Sequence, residues 1–176
     1  MEEEVWVELE WDGHKILWAE FPDRFSFRAG VKPEDWPAAG EPIPSVVWDL
    51  GPIFNDRYPG GFGADMRDVA ALVLGTLQDR TQWWEHVAFH DWVHPSRLFR
   101  PHNGDVPEGV PGWGVGGLFP NGDYTISVSR DYAFGFLEHP WEHGLCVFGE
   151  PAVAAFAARN RGVATTVLRR DGKAAR

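Results

Sequence analysis

The stretch "LFPNGDYTISVS", residues 118–129, decides how this chain is expected to fold. Asn121-Gly122 stands between two apolar runs, and both residue types accept the positive φ of the two-residue turn whose twist suits antiparallel strands. The stretch therefore predicts a β-hairpin at the centre of the chain. Antiparallel pairing there leaves helices to pack outside the sheet, and the segments on either side supply them.

Downstream, "LCVFG" reads as a strand and "PAVAAFAARN" as a helix, with Pro151 in its first turn, Val153 and Phe156 facing inward and Gly162 stopping it. "VATTVL" then reads as a last strand, and "RRDGKAAR" as a solvated tail. Upstream, "WWEHVAFHDWVHP" alternates, with Val87, Phe89, Asp91 and Val93 on one face and His86, Ala88, His90, Trp92 and His94 on the other; Pro95 ends it. Met66, Val69, Val73 and Leu77 form one stripe of the main helix, for which Asp65 is a candidate N-cap with Asp68 at N3. "GPIFNDRYPGGFG" before it is a loop, "SVVWDL" a strand, and the four prolines of "VKPEDWPAAGEPIPS" forbid any regular element, leaving Lys32 to Pro44 as a lid, an interface or a surface loop.

Nearer the start, "RFSFRAG" reads as a strand, and "VWVELEW" as another with Val5, Val7, Leu9 and Trp11 on its buried face. Asp12-Gly13 would allow a hairpin into "HKILWAEF", but the spacing of Trp18, Phe21 and Phe25 favours a short helix. The expected fold class is α+β: a mostly antiparallel sheet with helices packed mainly on one face. Residues 1–170 are expected to form a single domain and 171–176 a tail.

Composition narrows function. The chain has 176 residues, one domain's worth, with 44% hydrophobic and 24% charged residues, as in ordinary globular proteins. Ten tryptophans and twelve phenylalanines must fill a core or line a groove. A formal net charge of -10 repels phosphate backbones, which argues against a nucleic-acid partner; the same excess would speed encounter with a cationic protein, although keeping the chain soluble is its commoner role. "MEEEVWVELEW" lacks the positive charge of a secretory signal and no apolar run is long enough to span a bilayer, so a cytoplasmic location and no membrane partner are expected. Cys146 stands alone within "LCVFG" and reads as a small buried hydrophobe.

The candidate chemistry lies in two segments. In "HPWEH", His139 and His143 are four apart around one turn, with Glu142 between them as a third zinc ligand or a general base. The ordinary alternative is a corner in which His139 and Glu142 bond loop amides and Trp141 plugs the core. No cofactor is then needed. In "FHDWVHP", His90 and His94 would lie about 13 Å apart along a strand, too far to share an ion, and His90 and Asp91 would point to opposite faces. An acid-base enzyme would need His90, Asp91 or His94 to converge with His139 and Glu142. Asp123 beside the expected turn is better suited to bonding amides than a metal.

In their order, "RFSFRAG", "EPIPSVVWDLGPIF", "FHDWVHPSRLFRPH" and "LFPNGDYTISVSRDYAFGFLEHPWEHGLCVFGE" resemble the bacterial family catalogued as domain of unknown function 2716, over roughly residues 18 to 155. The segments that carry the resemblance are Asp91 to Pro95, Gly122 to Tyr124, His139 to Glu142 and Cys146 to Gly149. The resemblance implies no activity, cofactor or catalytic residue. This chain departs from the family pattern at Glu138, where glycine is usual, and at His143, where glutamine is common. The layout also resembles small bacterial toxin-immunity domains at the level of fold.

Three functions fit. The first is a non-catalytic, immunity-like acidic binding domain, with Trp92, Asp123, Tyr124 and Trp141 contacting a cationic protein. The second is a small enzyme with a His/Glu or zinc site between the Asp91–His94 strand and the His139–His143 turn. The third is a groove for an apolar small molecule. No oligomeric state follows from the sequence.

Overall fold

The structure, a computed structural model, describes residues 6–42, 44–54, 64–91, 95–103 and 123–175. The elements are β1 (Trp6–Glu8), α1 (Trp11–Trp18), α2 (Phe21–Arg24), β2 (Ser45–Asp49), α3 (Gly51–Phe54), α4 (Ala64–Arg80), β3 (Val87–His90), β4 (Arg97–Phe99), β5 (Thr125–Val128), β6 (Gly135–His139), β7 (Gly144–Phe148), α5 (Glu150–Arg159), β8 (Thr166–Arg170) and β9 (Lys173–Ala174). The fold is α+β. Among the described residues, the strands form one sheet in the order β1-β4-β3-β5-β6-β7-β2-β8-β9, antiparallel at every pairing.

Alternation in the central strands divides the core in two. Phe89, Phe136, Leu145 and Val147 face the long helices, where Val69, Val73 and Leu77 of α4 and Ala152 and Phe156 of α5 close over them. Val47, Ala88, Ile126, Leu137 and Cys146 face the other way, against Trp18, Phe21, Phe25 and Ala39. The second layer is thus made by α1, α2 and the proline-rich excursion. The stripe Val69, Val73, Leu77 is buried as its helical spacing requires. At the β7–α5 junction Gly149 has φ 86°, and a Cβ there would meet Ala133 O at 2.4 Å, so only glycine fits.

The Asn121-Gly122 turn lies outside the described residues; its outgoing strand is β5, whose two edges are taken by β3 and β6. Other expectations are corrected. In β1 the buried face is that of Trp6, which stacks on Phe99 at 4.4 Å, while Val7 is 38% exposed and Trp11 opens α1. The larger indole wins the core side of an edge strand because it removes more apolar area from water than valine can. "RFSFRAG" forms no strand: Arg24 ends α2 and 25–30 run irregularly, held by Arg28 N–H donating to Ala38 O at 2.7 Å. Ala64 is already helical, so Asp65 lies inside α4 instead of capping it. "RRDGKAAR" contributes β8 and β9, and Arg169 within it is largely buried.

Candidate functional site

β2, β3, β6 and β8 reach the same end of the sheet with Asp49, His90, His139 and Thr166, and at that end the described chemistry-bearing side chains form three groups.

The first group surrounds the β6–β7 turn. His139 ends β6 and is paired in register with Gly144, so "PWEH" is the four-residue turn between them. The backbone N–H of Glu142 donates to His139 Nδ1 at 3.1 Å. An accepting Nδ1 puts the proton of the neutral ring on Nε2, which lies 3.2 Å from the Tyr124 hydroxyl. That hydroxyl donates to Gly30 O at 2.7 Å and accepts from Gly30 N–H at 3.0 Å, tying the excursion to the sheet. Burial holds the His139 pKa below its ordinary value, in keeping with a ring that works uncharged.

Glu142 turns to Arg169 instead. Arg169 Nη1 and Nη2 bond Glu142 Oε1 and Oε2, the latter at 2.8 Å, and Nε donates to Glu41 Oε1 at 2.5 Å. Desolvation opposes the charge on Arg169, but its bonds to Glu142 and Glu41 more than compensate and hold its pKa up. Burial raises the Glu41 pKa in spite of that partner. Beneath them Cys146 is a buried thiol with its pKa pushed further up, mainly by burial, as expected of an inert core residue.

Loss of the Tyr124 hydroxyl should be costly. Tyr124→Phe leaves both polar atoms of Gly30 and the His139 N–H without that partner, and is expected to destabilise the protein by about 2 kcal/mol in urea unfolding. A change under about 0.5 kcal/mol would show that these bonds do not hold the excursion.

The second group is a cleft of about 530 Å³ between α1 and Pro95–Ser96. Ser96 Oγ lies 2.7 Å from His14 Nδ1 and 3.0 Å from His90 Nδ1, so one hydroxyl fixes two imidazoles. Burial, with a smaller contribution from His14, pushes His90 down to about 4. Trp11 covers His14, the ring centroids 5.1 Å apart and 6° from parallel, and Glu8 and Glu10 also line the cleft.

The third group is Glu138, which faces the long-helix side with Leu145, its partner in register on β7. It is 2% exposed, neither carboxyl oxygen has a hydrogen-bond partner among the described residues, and burial raises its pKa well above the ordinary value. Thr125, its register partner on β5, likewise has a buried hydroxyl with no partner among the described residues.

The structure gives His90 and His139, expected in one enzyme site, different neighbours. His90 belongs to the cleft, with Ser96, His14 and Trp18, and His139 to the turn, with Tyr124, Trp36 and Trp141. Trp92 and His94 lie outside the described residues. Asp91 is buried just beyond β3. Asp123 accepts from Tyr124 N–H at 2.8 Å, the amide-bonding role expected of it. Tyr124 is 1% exposed and so presents no ring to a partner, whereas Trp141 is 37% exposed and does not plug the core.

For the zinc alternative, His139 Nδ1 and both Glu142 oxygens are engaged, and the His143 carbonyl accepts from Leu50 N–H at 2.7 Å. Among the described residues, no three His, Cys, Asp or Glu side chains are grouped to hold a metal ion. Also among these residues, no helix is long and apolar enough to cross a membrane.

Sequence reasoning missed Arg169, Glu41, His14 and Ser96, and treated Glu138 only as a departure from a family pattern. Asp171-Gly172 was the available signal for Arg169, as a turn that places it in a strand. His14 and Ser96 are 82 residues apart and carry no local signal.

A family model described as "Protein of unknown function (DUF2716)" matches residues 8–153. The Bacillus subtilis (strain 168) protein described as "Uncharacterized protein YxiI" is 37% identical over 115 residues, covering 65% of this chain and 70% of that protein. No solved structure matches.

Proposed function

This chain belongs to the DUF2716 family of proteins of unknown function, and we propose that it acts within it as a non-catalytic, acidic binding domain of the cytosol, immunity-like in that it covers a cationic protein. The observation that carries this reading is the outer face of α1 and the strand before it. Trp11 is 66% and Ile16 80% exposed there, amid the exposed carboxylates of Glu8, Glu10 and Asp12. Exposed apolar area is costly in a lone monomer, and the carboxylates Glu8, Glu10 and Asp12 outnumber the neighbouring Lys15 and Arg97, so Trp11 and its surroundings form an aromatic anchor with an acidic rim that a basic partner fits. The net charge of -10 acts in the same sense at longer range.

An enzyme reading draws less support, because His90 and His139 have separate sets of contacts and Glu142 is held by Arg169. Chemical cross-linking in native cell extract at low salt tests the binding reading. A protein with pI above about 9 is expected to be captured, and capture should fall at least about ten-fold with the combined variant Glu8→Lys, Glu10→Lys, Asp12→Lys. Absence of any basic partner, or capture indifferent to both salt and charge reversal, would sink it.

A further inference from the structure

Resting on that reading, we infer that the cleft between α1 and Pro95–Ser96 is the subsite that receives an arginine side chain of the cationic partner. Its volume of about 530 Å³ is ample for one guanidinium and its stem. The walls combine a flat, exposed indole with carboxylates on one side and a polar floor of two imidazoles on the other.

Each wall selects for this group. Trp11 stands 66% exposed over His14, so a planar cation can lie against it as guanidinium does on aromatic faces. Glu10 and Glu8 supply carboxylates that accept its forked N–H groups. On the floor, burial pushes the His90 pKa down to about 4, so that ring adds no opposing charge.

Ser96 has one proton to give to two Nδ1 atoms. Ser96 therefore holds both imidazoles in orientation.

The chain's own cations already reach these groups loosely. Lys15 Nζ lies 5.1 Å from the Trp11 ring, and Arg97 Nη2 approaches Glu8 Oε2 at 3.9 Å. The Lys15 and Glu8 side chains are 57% and 61% exposed, so neither contact is strong and an incoming guanidinium can displace both. A lysine ammonium would use the carboxylates but not the plane of the indole, which is why arginine is the expected occupant.

The test titrates acetyl-Gly-Arg-Gly-amide into the isotope-labelled protein and follows the Trp11 indole N–H and the His14 and His90 ring signals by NMR. Acetyl-Gly-norleucine-Gly-amide serves as control. Saturable shifts at these three residues with the arginine peptide alone, weakened at least about five-fold by Glu10→Gln and by Trp11→Ala, are the expected result. Trp11 is largely exposed, so its removal leaves the core intact, and the dispersion of the remaining signals reports that directly.

Shifts confined to another surface, such as the exposed Trp83 and Trp84, or no shift at all, would overturn the cleft as the subsite. Neither result touches the capture of a basic protein. Conversely, the peptide could saturate the cleft while no basic protein is captured, so the two readings fail separately.

Discussion

Replacing Glu138 with methionine should make the protein more stable, by about 2 kcal/mol or more at neutral pH, which for a chain of this length is a rise of roughly 4–8 °C in Tm. The side chain is 2% exposed and neither oxygen has a hydrogen-bond partner among the described residues, so folding strips it of water without a hydrogen bond from them in return. Methionine fills similar volume without polar atoms. The sign of the pH effect follows from burial, which raises the folded-state pKa well above the unfolded one. Stability from this group is therefore full below the ordinary glutamate value of about 4.3 and drains away as pH rises through the folded value. Glu138→Gln removes the titration, so wild type should lose stability relative to it above that pH, by up to about 1.4 kcal/mol per pH unit. Urea unfolding of the three proteins between pH 4 and pH 9 reads both effects. A methionine variant no more stable than wild type, or a wild type that tracks the glutamine variant at every pH, would show that Glu138 has a partner in solution.

Why burial put a carboxylate there shows how far the sequence could be read. Stripes and alternations in central elements were legible, because a residue buried on both sides has its face fixed by local period: Val69, Val73 and Leu77 of α4 lie inward as their spacing says. Edge elements were less so. In β1, with β4 as its neighbour, the tryptophan's area overrode the pattern. Glu138 gave no signal, since the strand containing it, "GFLEH", is buried at all five positions and does not alternate. The cleft joins residues 82 positions apart, and no local spacing encodes such a meeting. Arg169 is different. Asp171-Gly172, with φ 50° and 72°, carries the same kind of hairpin signal as Asn121-Gly122, and taken at face value it pairs β8 with β9 where a tail is expected.

Arg169→Ala should be the most damaging single change described, at about 3–5 kcal/mol, because it leaves two buried carboxylates facing each other without their cation. The Glu41 and Glu142 side chains are 3% and 11% exposed, so water cannot take over the role of the guanidinium. The loss also frees three segments from one another: Glu41 belongs to the excursion, Glu142 to the β6–β7 turn and Arg169 to β8. Arg169→Lys should recover only part, since a single ammonium cannot fork to both Glu142 oxygens and reach Glu41 as well. The decisive comparison is the combined variant Arg169→Met, Glu41→Gln, Glu142→Gln, which removes the charges along with the bridge. If electrostatics dominate, it should be more stable than Arg169→Ala by about 2 kcal/mol or more, and the Arg169→Ala deficit should shrink as pH falls and the carboxylates protonate. A deficit equal in both variants and flat with pH would assign Arg169 to packing by its methylene stem.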